Sequence, residues 1–230
     1  MKGDIILKNI SKVYHKGKIK IFALKNINLE IKKGEFVVIM GPSGSGKTTL
    51  LNIIGCLDIP TEGEVIFNGK VLKSFSEDQL AEYRRQNIGF IFQSFNLIPV
   101  LTVKENIELP LILEKNFSSQ YKEERIKELI EKLGLSGMEN RFPSELSGGQ
   151  EQRVAIARAL VKKPIVVLAD EPTANLDSQT ALEVIKIMKE MNEIEKTTFI
   201  FSTHDPKIEK FAKRIITLKD GMIESDIMVS

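Results

Sequence analysis

The 230-residue chain has one cysteine, no tryptophan and two histidines. A single thiol cannot close an internal disulfide, which fits a reducing compartment and excludes a small disulfide-stapled scaffold. That residue, Cys56, stands in the apolar run LLNIIGCL and reads as a small buried side chain, not a reactive one. No sign of charge dominates: 33 Lys and Arg face 31 Asp and Glu, a net charge of +2 with no long single-sign block. Such a chain has no global field to hold a polyanion, so nucleic acid is not an expected partner. No apolar stretch approaches the length of a membrane span, and the start MKGDIILKN has charges on both sides of a run too short for a signal peptide. A cytoplasmic location is expected, with any tie to a membrane made through a partner. Internal repeats and low-complexity linkers are also missing. After the last strand signal only a short tail follows, so no appended regulatory or membrane domain is expected.

What is present is an ordinary globular composition, 42% apolar and 28% charged, enough for one sizeable core. IILKNISKVY, the turn-like HKGK and IKIFALKNINLEI predict strands near the N-terminus by their partial alternation. FVVIM at 36–40 is a short continuous apolar run ending at glycine, the pattern of a strand buried on both faces. IGFIF (88–92), IVVLA (165–169) and TTFIF (197–201) share it. Four such runs separated by helical patterns predict an α/β fold with a mostly parallel sheet. From about Glu105 to Arg141 the chain is charge-rich and helical, with YKEERIKELIEKLGL at helical spacing, as an inserted subdomain would be. Near the end, Asp220-Gly221 between apolar arms predicts a hairpin.

Gly41-Pro42-Ser43-Gly44-Ser45-Gly46-Lys47-Thr48 fits G-x-x-x-x-G-K-[ST], directly after the FVVIM strand and before an apolar helix that opens at Thr49. Glycines let the backbone wrap phosphates without a Cβ in the way, and the N–H groups converge with the positive helix end. Lys47 is expected on the β and γ phosphates and the Thr48 hydroxyl on Mg²⁺. IVVLADEP then ends a buried strand in Asp170 and Glu171, at the carboxyl edge where open α/β sheets bind ligands. Alone, two acids at a strand end form a solvated cap as readily as a catalytic pair. Beside a P-loop, Asp170 suits the Mg²⁺ shell and Glu171 suits a base that takes a proton from an attacking water. Pro172 is expected to restrict Glu171 to an extended backbone.

A second anion device stands at 146–150. In LSGGQ, Ser147 is placed to cap the helix through QRVAIARALV, and Gly148-Gly149 leave its first N–H groups open. This string resembles the signature motif of the ATP-binding cassette family, in the expected order between P-loop and DE-bearing strand, and the resemblance covers nearly the whole chain.

The resemblance implies a P-loop NTPase core of RecA-like type at about 1–92 and 162–230, with an N-terminal antiparallel β subdomain and a helical signature subdomain at about 93–161, all in one ATPase domain. It implies that Tyr14 stacks on adenine, although an edge-strand tyrosine is the alternative. It implies that Gln93 reaches Mg²⁺ and the water while sensing the membrane partner, and that His204 of FSTHD contacts the γ phosphate. Asp177, in the ANLD loop, would touch a second copy of the chain, or else cap the helix after it. Two cassettes would pack head to tail around two ATP molecules, with Ser147, Gly148, Gly149 and Gln150 of one chain covering the nucleotide on the P-loop of the other. Glu171, His204, Gln93 and Lys47 would carry hydrolysis.

NIIGCLDIPTEGEV and RRQNIGFIFQSFNLIPVLTVKENIELPL look most like the ATPases of macrolide or peptide exporters and lipoprotein-release systems, working under a transmembrane permease. Phe95, Leu97, Ile98 and Pro99 are expected in the groove for the permease's coupling helix, with core packing as the alternative. Thr48 and Glu151 stand where Ser and Gln are common in the family, and neither change removes a needed group. Two further readings stay open: a signalling ATPase that regulates cell-wall hydrolases through a permease-like partner, and a soluble cassette such as an iron-sulfur assembly subunit. A GTPase is not expected: no N-K-x-D element for guanine is present, and the DE pair and LSGGQ would have no role there.

Overall fold

A computed structural model describes residues 4–114 and 117–229. Two sheets share the core. The first is antiparallel, built from β1 (Ile5–Lys16), β2 (Ile19–Ile31), β4 (Glu62–Phe67) and β5 (Lys70–Val71) in the order β2-β1-β4-β5. The second joins β3 (Phe36–Met40), β6 (Ile88–Ile91), β7 (Val166–Ala169), β8 (Thr198–Thr203), β9 (Arg214–Lys219) and β10 (Met222–Met228) in the order β10-β9-β3-β8-β7-β6. The pairings from β9 to β6 are parallel, and β10 is added antiparallel.

The four continuous apolar runs form the contiguous parallel block β3-β8-β7-β6 of the second sheet. Their residues alternate between two cores: Phe36 and Val38 of β3 face one, Val37 and Ile39 the other, and all four are fully buried. A strand covered on both sides has no wet face, which is why it reads as an unbroken apolar run. One core is closed by α3 (Val103–Glu108), α4 (Ser119–Lys132), α5 (Gly148–Leu160) and α6 (Ser178–Glu195). The other is closed by α1 (Lys47–Ile54), α2 (Glu77–Asn87) and the antiparallel sheet.

The N-terminal hairpin turns more tightly than HKGK suggests. Lys16 pairs with Ile19 around Gly17 and Lys18, so the arms extend to the turn itself. The predicted hairpin at Asp220-Gly221 is present, with both residues at positive φ (50° and 79°) as a two-residue hairpin turn requires. The charge-rich segment forms α3 and α4, and among the described residues no strand lies between β6 and β7. β4, β5 and α2 were not anticipated. Asn68-Gly69 between paired Phe67 and Lys70 is a hairpin signal, and Ser76 with Gln79 forms a capping box that opens α2. Among the described residues no helix is long and apolar enough to cross a membrane.

Candidate active site

The parallel order places the loops after β3, β6, β7 and β8 along one sheet edge. There they bound an open cleft of about 700 Å³. Of the sequence-predicted residues, Pro42, Ser43, Gly44, Gly46, Lys47, Thr48, Thr49, Gln93, Asp170, Glu171 and His204 line it. Ile21, Phe22 and Ala23 of β2 form an apolar wall that the sequence did not disclose. Tyr14 lies one strand away, paired with Ile21, and its ring is partly exposed.

The P-loop is shaped for close approach. Gly46, which caps α1, has φ +106°, and a Cβ there would stand 2.6 Å from the Ala23 carbonyl oxygen. Only glycine fits, so the first amides of α1 can reach a ligand without a side chain in front of them. The Lys47 ammonium is buried and donates to the carbonyls of Gly41 and Pro42 at 2.8 and 3.1 Å, with Glu171 Oε1 3.7 Å away.

The two carboxylates at the end of β7 are separately oriented. Asp170 Oδ2 accepts from Thr48 Oγ1 at 2.9 Å, and Asp170 Oδ1 accepts from Ser202 Oγ at 2.6 Å. Glu171 Oε2 pairs with His204 Nδ1 at 2.9 Å, which requires the ring proton on Nδ1 because a carboxylate only accepts. The expectation for the Glu171 backbone fails: its φ is +47°, left-handed instead of extended. Pro172 disfavours the right-handed helical region, and tertiary contacts select the left-handed one over the extended one. The Glu171 N–H donates to Ser202 Oγ at 2.9 Å, its carbonyl accepts from Ala174 N at 3.1 Å, and the buried Gln152 side chain donates to the Pro172 carbonyl at 2.7 Å.

Hard oxygens from Thr48 and Asp170 within hydrogen-bond distance of each other, with Gln93 on the same cleft, match the preference of Mg²⁺ for few protein ligands plus phosphate oxygens. The glycine cradle matches a polyphosphate. Both groups fit the residues present.

The residues expected to meet a second copy lie elsewhere. None of Ser147, Gly148, Gly149, Gln150 and Asp177 lines the P-loop cleft. Ser147 and Gln150 form a reciprocal capping box, at 3.4 Å from Gln150 N to Ser147 Oγ and 2.9 Å from Ser147 N to Gln150 Oε1. The amides of Gly148 and Gly149 belong to the first turn, which has no intrahelical acceptor. Gly149 also has a packing cause: a Cβ would stand 2.5 Å from Thr180 Cγ2 of α6. Asp177 caps α6, accepting from Gln179 N, Thr180 N and Thr180 Oγ1, and the Thr180 bonds hold its carboxyl below the ordinary range.

Of the four residues expected in an apolar groove, Ile98 lines one, together with Phe92, Asn96, Leu109 and Pro110. Leu97 packs against the core, and Phe95 lies 3.8 Å from where a Gly148 Cβ would be. This segment is pinned from behind: Arg158 donates to the Phe95 and Asn96 carbonyls, and the buried Asn106 side chain brackets Ile98 N and O.

The ABC transporter family profile matches residues 24–174, about two thirds of the chain. This chain belongs to the ABC transporter family. As an ABC cassette it is an ATPase that uses ATP with Mg²⁺. An uncharacterized ABC transporter ATP-binding protein of Methanocaldococcus jannaschii, MJ0796, is 53% identical over 226 residues, covering 96% of each chain. A structure of MJ0796, described as a dimeric post-hydrolysis state bound to ADP and Pi, superposes with a TM-score of 0.88 at 49% identity over 98% of this chain and 99% of that one. The macrolide export ATP-binding/permease protein MacB of Bdellovibrio bacteriovorus is 47% identical over 96% of this chain, which spans only 34% of that longer protein.

The sequence does not single out Ser202, two residues before His204: nothing in a linear pattern says that its hydroxyl reaches across to β7 to bond with both Asp170 and Glu171.

Proposed function

We propose that this cassette is the ATP-hydrolysing subunit of a membrane export or release complex, working as a head-to-tail pair on two Mg-ATP beneath a permease. The observation that carries this reading is a division within one chain. Lys47, Glu171 and His204 converge on the P-loop cleft, while the Ser147–Gln150 helix start lies outside it. An anion-ready helix end remote from its own nucleotide has a use when it meets the nucleotide of a second copy. The dimeric form described for MJ0796 and the macrolide export and permease functions in the name of MacB support the pair and the export role.

In this reading the Lys47 ammonium shifts from the loop carbonyls to the terminal phosphates, and the P-loop amides hold the rest of the chain. Asp170 and Thr48, with Gln93 on the same cleft, would hold Mg²⁺, which would supply neutralisation of phosphate charge. Glu171 accepts a proton from the attacking water. His204 holds the Glu171 carboxylate through Nδ1–H before ATP binds and, at the γ phosphate, donates from the ring nitrogen that then carries the proton. Tyr14, with the apolar wall of Ile21, Phe22 and Ala23, receives the base. Asp177 and the 147–150 turn contact the partner copy, and residues 93–161 act as the signature subdomain whose groove at Ile98 receives the permease.

The test is the Glu171→Gln chain in Mg-ATP, followed by light scattering. The expected result is accumulation of a dimer that dissociates when ATP is replaced by ADP. A species that stays monomeric at saturating ATP would remove the paired-cassette reading. Recovery of a permease with this variant from detergent-solubilised membranes is the matching test of the transport role, and recovery of soluble assemblies alone would sink it.

A further inference from the structure

The side chain proposed to carry the base is anchored by residues outside the cleft. Tyr14 Oη donates to Asp58 Oδ2 at 2.6 Å. The other oxygen of the same carboxylate, Oδ1, accepts from Lys12 Nζ at 2.5 Å, and Lys12 also donates to the Ile59 carbonyl at 2.7 Å. The ammonium lies 4.9 Å from the centre of the Tyr14 ring, within cation–π range. Lys12 and Tyr14 are two apart on β1, with register irregularities in its pairing with β2 on both sides of Lys12. The 57–60 loop is seated on the end of α1: the N–H groups of Leu57 and Asp58 both donate to the Asn52 carbonyl, at 2.8 and 3.2 Å. Ile59 N closes the arrangement on Asp58 Oδ1 at 2.7 Å.

Both polar partners are mostly shielded, the Lys12 side chain being 13% and that of Asp58 26% exposed. Burial alone would raise the Asp58 carboxyl, yet the bonds from Lys12, Tyr14 and the Ile59 amide outweigh it and keep it below the ordinary carboxylate value. A tyrosine ring on an open strand would otherwise sample several rotamers, each of which a ligand must select against. Here α1 begins at the P-loop and ends at the loop that holds Tyr14, so base platform and phosphate cradle belong to one rigid unit.

We propose that Lys12 and Asp58 are positioning residues for nucleotide binding, holding the Tyr14 ring at a fixed distance from the phosphate cradle through α1. This rests on Tyr14 being the base platform. Because the Tyr14 O–H is donated to Asp58, the ring offers the ligand its π face and no hydroxyl donor.

The test compares Mg-ADP with Mg-pyrophosphate, which shares the phosphates and lacks the base, by calorimetric titration. Asp58→Ala, Lys12→Met and Tyr14→Phe are each expected to weaken ADP binding by about two- to tenfold, the cost of ordering one side chain on binding. Pyrophosphate affinity is expected to stay unchanged in all three. Tyr14→Ala is expected to weaken ADP binding by at least about fivefold, from the lost stacking. Unchanged ADP affinity in Asp58→Ala and Lys12→Met, with loss in Tyr14→Ala, would overturn the positioning role and leave the platform standing. Unchanged ADP affinity in Tyr14→Ala would remove the platform, and the positioning role with it. A parallel loss for pyrophosphate would show a disturbed P-loop helix and also overturn the proposal. Tyr14→Phe deletes a single oxygen from a partly exposed side chain, so it keeps the test available if a charge variant fails to fold.

Discussion

The Ser202 hydroxyl donates to Asp170 Oδ1 at 2.6 Å while accepting the Glu171 amide at 2.9 Å, so one fully buried oxygen on β8 orients both acids at the end of β7. Its single donor and an acceptor are both used, and no other side chain is bonded to both residues among the described contacts. Ser202→Ala is expected to lower kcat about tenfold to a hundredfold, the usual cost of losing a partner that orients a metal-shell ligand. The KM for ATP should move little, because the phosphate cradle is untouched. Ser202→Thr keeps the hydroxyl and should restore most of the rate. Steady-state kinetics with both variants decide the matter, and equal losses in the two would mean that packing, not the hydroxyl, is what counts.

Gly149 offers a test of sign. In the first turn of an open helix, alanine in place of glycine is neutral or stabilising. Here the added Cβ would meet Thr180 Cγ2 at 2.5 Å, and a β-branched side chain in a helix has little freedom to step aside. Gly149→Ala is expected to destabilise the cassette by about 1–3 kcal/mol. Thr180→Ser removes the clashing methyl while keeping the hydroxyl that bonds to Asp177. Urea unfolding of the two single variants and the double variant should therefore give a favourable coupling. Simple additivity would mean that the clash is relieved by backbone movement.

Cys56 supplies a pH test. Burial raises its thiol from 9.0 to about 11. The folded chain therefore keeps a proton that the unfolded chain loses first. The associated stability is fully present below pH 9 and falls as pH rises toward 11, by on the order of 2 kcal/mol. Replacing Cys56 with Ala removes the titrating group while preserving a small side chain at this left-handed position (φ 56°). Urea midpoints at pH 8 and pH 10.5 should fall further for the native chain than for Cys56→Ala. Identical falls would show that the thiol has become exposed before it ionises.

The sequence by itself determined the elements whose cause is local. The unbroken apolar runs marked β3, β6, β7 and β8 because a doubly covered strand needs no polar alternation. The Asp220-Gly221 pair marked a hairpin because few other residues adopt positive φ twice in succession. The P-loop was legible because its glycines, lysine and threonine act within eight contiguous residues. Tertiary structure decided what depends on distant segments meeting. The left-handed Glu171, which Pro172 seemed to forbid from leaving the extended region, is held by Ser202 from β8 and Gln152 from α5. Gly149, legible as an anion-binding glycine, is also set by the close approach of α6. Tyr14 is anchored by Asp58 only because the fold brings β1 beside the loop that follows α1. A residue pattern records what its own backbone must do, whereas a hydroxyl or carboxylate shared between elements is recorded nowhere until the sheet order brings its partners together.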